Sequence, residues 1–339
     1  MSGSRAPPGY GAGITRALAG SGMTVVEVDR PTRSARRRAG KSDRLDAYHA
    51  ARAVIAERTS PVKDPAIDGL RALHLARNSA VKARTAAINQ AKAILVMAPE
   101  VVRVRFRGLT TTKLMAALLR VRGCCAEPGV ADTLAALRIL AQRHRDLSGQ
   151  IAVLTTRIDP LATTANPALR AAFGVGADTA AQILITAGHN PDRLTSEPSF
   201  AALCGVAPVP ASSGKTRRYR LSRGGDRGAN HALHRIALVR MSHHQPTIDY
   251  VCRQIDRGRS KKEILRMLKR AISREIYRHL TNPAPVPTWT DLRPTRQAHN
   301  LTAAAQHFGV WPTVISRIER GLQRNDELAE QYRTWLAAA

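Results

Sequence analysis

Two groups of residues in this chain are equipped for phosphoryl chemistry. The first is Asp43 and Asp46 in the run Lys41-Ser-Asp43-Arg-Leu-Asp46-Ala. Three positions apart at the start of a helix, the two carboxylates share a face, where hard oxygen donors can hold a divalent cation such as Mg²⁺. A metal held there neutralises charge on a scissile phosphate and activates the attacking group. Acidic residues in a first helical turn also complement the helix dipole, and spacing alone leaves both readings open. The second group lies between Pro208 and Arg227, where Ser212, Ser213 and Gly214 are surrounded by Lys215, Arg217, Arg218, Arg220, Arg223 and Arg227. A serine hydroxyl there can attack a phosphodiester while guanidinium groups hold the phosphate with two hydrogen bonds each. A solvated basic loop that only binds nucleic-acid backbone has the same composition. A third feature, Gly9-Tyr-Gly11-Ala-Gly13 followed by a helix, a strand and Asp29, has the outline of a dinucleotide-binding turn. It lacks the G-x-G-x-x-G spacing and a preceding strand, so that reading fails.

The elements that must position these residues are mostly helical. Residues 12–20 read as a short amphipathic helix, Met23-Thr-Val-Val-Glu-Val-Asp29 as a buried strand, and 43–57 as a helix capped by Ser42. One clear strand is visible there, and one strand cannot make a sheet. From Pro65 to Met97 apolar residues recur at helical spacing (Leu70, Leu73, Leu75, Val81, Ile88, Ile94, Leu95), interrupted by Arg71, Arg77, Lys82, Arg84 and Lys92. A second helical tract runs from Ala131 to Ile158, so 65–160 is expected to be a helical hairpin or coiled-coil spacer. Residues 167–188, with Gly174 and Gly176 in the turn, have the layout of a helix-hairpin-helix whose backbone amides could approach a phosphate, or of an ordinary helical corner. Pro283, Pro285 and Pro287 mark a linker. Beyond it, Leu301 to Gly321 reads as a helix-turn-helix: Gly309 makes the turn, Ile315 and Ile318 face the core, and Pro312, Thr313, Ser316 and Arg317 face a major groove.

At 339 residues the chain is long enough for two or three domains. Its 53 Lys and Arg against 25 Asp and Glu give a formal charge of +28, spread over every segment, so a polyanion is the natural partner. That charge argues against a metabolic dehydrogenase. Cys124, Cys125, Cys204 and Cys252 have neither zinc-site spacing nor the density of a secreted disulfide framework, and read as reduced thiols. With no apolar run long enough for a membrane span and no signal-peptide layout, the expected location is the cytoplasm, on the nucleoid.

Taken in order, Gly9-Tyr-Gly-Ala-Gly13, Val25-Val-Glu-Val-Asp-Arg-Pro31, Arg36-Arg-Arg-Ala-Gly-Lys-Ser-Asp43-Arg-Leu-Asp46-Ala, Ser212-Ser-Gly-Lys and Ser222-Arg-Gly-Gly-Asp-Arg227 resemble the DEDD transposases of the insertion sequence one-ten family, relatives of the Piv-type DNA invertases. The likeness covers about residues 9–280. It implies a mainly α protein: a remnant of a RuvC-like ribonuclease H α/β domain (1–60), a helical coiled-coil spacer (61–165), a helical transposase domain with a helix-hairpin-helix and a catalytic serine (166–282), and a linker with a C-terminal helix-turn-helix (283–339). By matching, Asp43 and Asp46 take the last two places of an Asp, Glu, Asp, Asp site for Mg²⁺, and Ser213 takes the nucleophile position, with Ser212 its nearest competitor. The implied partners are DNA, a structured guide RNA and further copies of the chain, as a dimer or tetramer. The first Asp of the family pattern would fall upstream of Met1, and Arg5 stands near the place of the Glu. The resemblance therefore implies a front-truncated transposase of impaired activity. The alternative is a noncatalytic DNA- or RNA-binding protein that uses the helix-turn-helix and the basic helices; on either reading Lys41, the loop cations, Gly174 and Gly176 are candidate nucleic-acid contacts.

Overall fold

The computed structural model describes residues 2–4, 12–28, 43–121, 128–210, 219–220, 224–287, 289, 291–296, 299–321 and 325–338. The architecture is mainly helical, as the sequence implies. At the N-terminal end, β1 (Ser2–Ser4), α1 (Ala12–Gly20), β2 (Val25–Val28), α2 (Asp43–Ile55) and β3 (Thr59–Pro61) make a small α/β unit. The expectation of a single strand is corrected: β1 pairs with β2 in parallel and β3 pairs with β2 antiparallel, in the order β1-β2-β3. Sequence pattern misses the outer strands because Ser2-Gly-Ser4 and Thr59-Ser-Pro61 carry no alternation of apolar and polar side chains to read. Only β2 carries a run of β-branched residues, and Val25 and Val28 are its buried ends.

Helices α3 (Ile67–Met97) and α6 (Pro128–Ala165) form the expected hairpin, and α4 (Glu100–Phe106) and α5 (Thr111–Leu119) fill its far end. The seam of α3 includes Leu70, Leu73, Ile88, Ile94 and Leu95 as periodicity suggests, but its most buried positions further along are alanines. Leu75 is 71 % exposed, whereas Ala80, Ala87 and Ala91 are buried, so the backbones approach closely over small side chains. Leu134, Leu137 and Ala141 of α6 face Ala91, Val102, Phe106, Leu114 and Leu118 in the core of this end.

The second core lies at the root of the hairpin. Helices α7 (Pro167–Ala171), α8 (Ala177–Ala187), α9 (Glu197–Leu203), α10 (Arg227–His243), α11 (Gln245–Asp256) and α12 (Lys261–Thr281) pack with Ile67, Leu70, Ile158 and Ala162 from α3 and α6. Between α9 and α10 runs a two-stranded antiparallel ribbon, β4 (Val209–Pro210) and β5 (Tyr219–Arg220). After the proline linker, α13 (Leu292–Thr295), α14 (Leu301–His307), α15 (Pro312–Glu319) and α16 (Asp326–Ala338) enclose a separate core of Trp289, Ile315, Ile318, Tyr332 and Leu336. Among the described residues no helix is long and apolar enough to cross a membrane. Cys204 and Cys252 are free thiols.

Candidate functional site

Asp43 opens α2 and Asp46 follows one turn later, half-buried, where the helix packs on β1 and β2. Lys41 lies outside the described residues. Glu27, on the adjacent strand, is held by Arg193 at 2.9 Å and so does not join the pair. Among the described residues no group of three or more His, Cys, Asp or Glu could hold a metal ion. The two carboxylates are right in kind for Mg²⁺ but short of its near-octahedral set of oxygens.

Ser212, Ser213, Lys215, Arg217 and Arg218 fall between β4 and β5, and Arg223 just after β5, all outside the described residues; Arg220 pairs with Val209 in the ribbon. What the structure defines is the root that presents this loop. Gly205 has φ 64°, and a Cβ there would lie 2.7 Å from the Gly224 carbonyl oxygen and 3.3 Å from Asn230 Nδ2. Gly225 has φ 81°, and a Cβ there would meet the Leu203 and Ala202 carbonyl oxygens at 2.5 and 2.6 Å. The two ends of the loop therefore cross at a point where no side chain fits. Asn230 clamps the crossing by donating to the Cys204 carbonyl at 3.0 Å and the Gly205 carbonyl at 2.9 Å. Asp226 is the N-cap of α10, its Oδ1 accepting from the Gly228 and Ala229 amides at 2.7 and 3.3 Å while Oδ2 accepts from the Thr186 hydroxyl at 2.6 Å. Arg227 follows the cap, exposed on the first turn. Sequence reading quoted Gly225 and Asp226 within the motif but missed that they and Asn230 form the root; an Asp just before a helical run was the available signal.

Of the two hairpin glycines, Gly174 is turned inward. Its φ of 78° is what favours glycine there; a Cβ would touch the Ile236 carbonyl oxygen at 3.4 Å and the Arg240 side chain at 3.5 Å, ordinary contact distances against α10. Gly176 is exposed, with open space at its α-carbon. Its amide is already taken by Thr179 Oγ1 at 2.9 Å. The anion nearest this helix start is the chain's own Asp178, bound by Arg77 at 2.5 Å, by His74 at 3.2 Å and by Arg235. Burial pushes the Asp178 carboxyl up, but the His74 hydrogen bond and the charges of Arg77 and Arg235 outweigh it and hold it at about 2.

In the C-terminal unit the turn at Gly309, φ 63°, sets α14 against α15. Ile315 and Ile318 are 0 % and 1 % exposed, as their spacing implies. Thr313 and Arg317 are exposed and Ser316 half-exposed on the opposite face. The orientation is fixed from beneath by Glu319, 3 % exposed, which accepts from Arg296 Nε at 2.6 Å and from the Tyr332 hydroxyl at 2.9 Å. Trp311, at the N-cap of α15, is 79 % exposed beside these residues and was not singled out by sequence reasoning.

Compared with known sequence families, residues 3–98 match the DEDD transposase family of IS110 elements, and residues 166–252 match the family described as Transposase IS116/IS110/IS902. The first stretch holds Asp43 and Asp46, the second the serine loop and its root, and together they span more than half of the chain. No characterised protein matches it. Two collinear matches to domains of one family, with a helical frame between and around them, place this chain in the IS110 family of DEDD insertion-sequence transposases.

Proposed function

We propose that the chain carries out strand exchange on DNA through a serine nucleophile. The observation that carries this reading is the root of the 205–225 loop, where two positive-φ glycines, the Asn230 clamp and the Asp226 cap hold the ends of a serine-bearing, cation-rich loop on the start of α10. Such a root fixes where the loop emerges from the helical core. In the proposed step Ser213 Oγ, losing its proton to a base, forms a bond to phosphorus, and the sugar oxygen of the broken phosphodiester leaves with a proton. The resulting phosphoserine link keeps the energy of the broken bond, so that a hydroxyl of another strand can attack phosphorus and return Ser213. Lys215, Arg217, Arg218, Arg220, Arg223 and Arg227 would hold the phosphate charge.

Membership in a DEDD family implies divalent-metal chemistry in general. Asp43 and Asp46 are the proposed Mg²⁺ ligands of this chain, and with two carboxylates the affinity for the ion is weak. Impaired strand exchange follows from that. A structured guide RNA and assembly into a dimer or tetramer belong to the same proposal, supported by the excess positive charge and the long hairpin.

The test is strand exchange between donor and target DNA, with trapping of the covalent protein–DNA link. Ser213→Ala is expected to abolish both, with Ser212→Ala retaining them; exchange that persists in Ser213→Ala overturns the nucleophile. One observation favours a second reading, a noncatalytic binding protein: among the described residues no group of three or more His, Cys, Asp or Glu could hold a metal ion. Salt-sensitive DNA binding without any cleavage or joining by the parent chain would establish it.

A further inference from the structure

The serine loop is rooted on α10, and that helix together with α12 carries cations beyond Arg227 and the loop's other arginines. Arg227, Asn230, His231 and His234 stand at i, i+3, i+4 and i+7 of α10, which aligns them along one face. Beside them on α12 lies Lys269, only 7 % exposed. Its ammonium donates to Asn230 Oδ1 at 2.6 Å. Asn230 can present only that oxygen, because its amide nitrogen is committed to the Cys204 and Gly205 carbonyls at the loop crossing.

The acceptor of this buried cation is therefore a neutral amide. Among the described residues no carboxylate pairs with Lys269, and the acids on the surrounding elements are engaged elsewhere: Asp226 with Thr186 and the start of α10, Glu197 with Arg270, Glu275 with Arg240. Burying an ammonium without a counter-charge is unfavourable, and burial pushes Lys269 below its ordinary value. The neighbouring His234 is lowered by burial and then by Lys269 and His231, the mark of cations that face each other with no acid between them. Among the described residues, no anion lies on this face.

We propose that Arg227, His231 and His234 on α10, backed by Lys269 behind Asn230, form a track for the phosphates of the DNA strand that enters the serine loop. The residues grade from open to deep: Arg227 and His231 are exposed, His234 is half-buried and Lys269 is buried. A backbone lying along α10 would meet the outer cations directly and the field of Lys269 from beneath. The track rests on the Ser213 reading only for what it leads to; its capacity to bind DNA stands apart from the identity of the nucleophile.

The test is the affinity of the full chain for a fluorescein-labelled DNA duplex, followed by anisotropy from about 50 to 200 mM salt. The surface double variant His231→Gln/His234→Gln, the single variants Arg227→Gln and Lys269→Met, and the conservative Lys269→Arg are compared with the parent, each checked for an unchanged thermal melt. Arg227→Gln and Lys269→Met are expected to weaken binding about tenfold and to flatten the plot of log affinity against log salt by about one, with Lys269→Arg close to the parent. The His double variant is expected to weaken binding as well, by a smaller factor. Variants that melt like the parent and bind with its affinity and salt slope overturn the track, as does a loss confined to a structured RNA probe. Ser213→Ala serves as the separator: it is expected to bind DNA like the parent and fail to join it, so joining by Ser213→Ala would sink the nucleophile and leave the track standing.

Discussion

Arg240 on α10 and Glu275 on α12 meet side by side, Nη1 to Oε2 at 2.6 Å and Nη2 to Oε1 at 2.7 Å, while Arg240 Nε donates to the Phe173 carbonyl at 2.9 Å. One guanidinium thus ties the helical corner at Gly174 to both helices that carry the proposed phosphate track. The Arg240 side chain is 9 % exposed, so its charge depends on Glu275 for compensation.

The pair makes stability depend on acid. Burial pushes the Glu275 carboxyl up, yet hydrogen bonds from Arg240 and His279 more than offset this and bring it from 4.5 to about 2. A carboxyl depressed on folding stabilises fully above its unfolded value and loses that contribution as pH falls through the folded one. The Glu275 contribution should therefore fade between about pH 4.5 and 2, by at most roughly 3 kcal/mol at 1.36 kcal/mol per unit. Glu275→Gln is expected to lower the melting temperature at neutral pH and to remove part of the acid dependence in that window. Equal acid dependence of parent and variant, measured by thermal melts across the window, would contradict the assignment.

Asp178 makes the second prediction, because it joins the two family-matched stretches. Arg77 and His74 reach it from α3, Arg235 from α10, and Arg77 also donates to Thr155 Oγ1 of α6 at 2.8 Å. Exposure decides which partner matters. The Arg77 side chain is 13 % exposed and Arg235 46 %, so solvent screens the Arg235 pair far more. Asp178→Asn leaves a buried guanidinium uncompensated and is expected to cost about 3–5 kcal/mol. Arg77→Gln should be similarly severe, and Arg235→Gln should cost under about 1 kcal/mol. Denaturant midpoints of the three variants check the ranking; an Arg235→Gln as damaging as Arg77→Gln would mean that the junction is organised differently.

How far these features could be read from sequence differs by element. The hairpin helices, the strand at Val25 and the helix-turn-helix were legible because their patterns repeat: apolar residues at helical spacing, a β-branched run, a turn glycine between two short helices. The Ala80, Ala87 and Ala91 seam was not, since alanine marks close approach only when the partner helix is known. Nor were β1 and β3, which are built of Ser, Gly, Thr and Pro. Of the candidate site, the sequence offers residue types in a motif, while the root that presents them depends on contacts between distant positions. The Lys269–Asn230 contact spans 39 positions and joins a helical lysine to a helical asparagine, neither of which differs in sequence from an ordinary surface residue.

The third prediction separates affinity from specificity. Residues 283–339 hold six Lys and Arg against five Asp and Glu, so almost all of the +28 charge lies in the rest of the chain. Salt-dependent, sequence-independent binding must then come mainly from residues before the linker. The C-terminal unit instead offers a shaped face: Thr313 and Arg317 exposed on α15, with Trp311 79 % exposed at its start and Glu319 holding the helix from below. If α15 reads base edges, Thr313→Ala and Arg317→Ala should each reduce discrimination by about 1–3 kcal/mol, roughly five- to 150-fold. The same variants should leave affinity for random DNA nearly unchanged. Both numbers come from one experiment, in which a sequence selected by the parent chain from a random pool competes against unselected DNA of equal length. Equal losses on the two DNAs would make Arg317 one more phosphate contact, and no selected sequence at all would remove the helix-turn-helix from target choice.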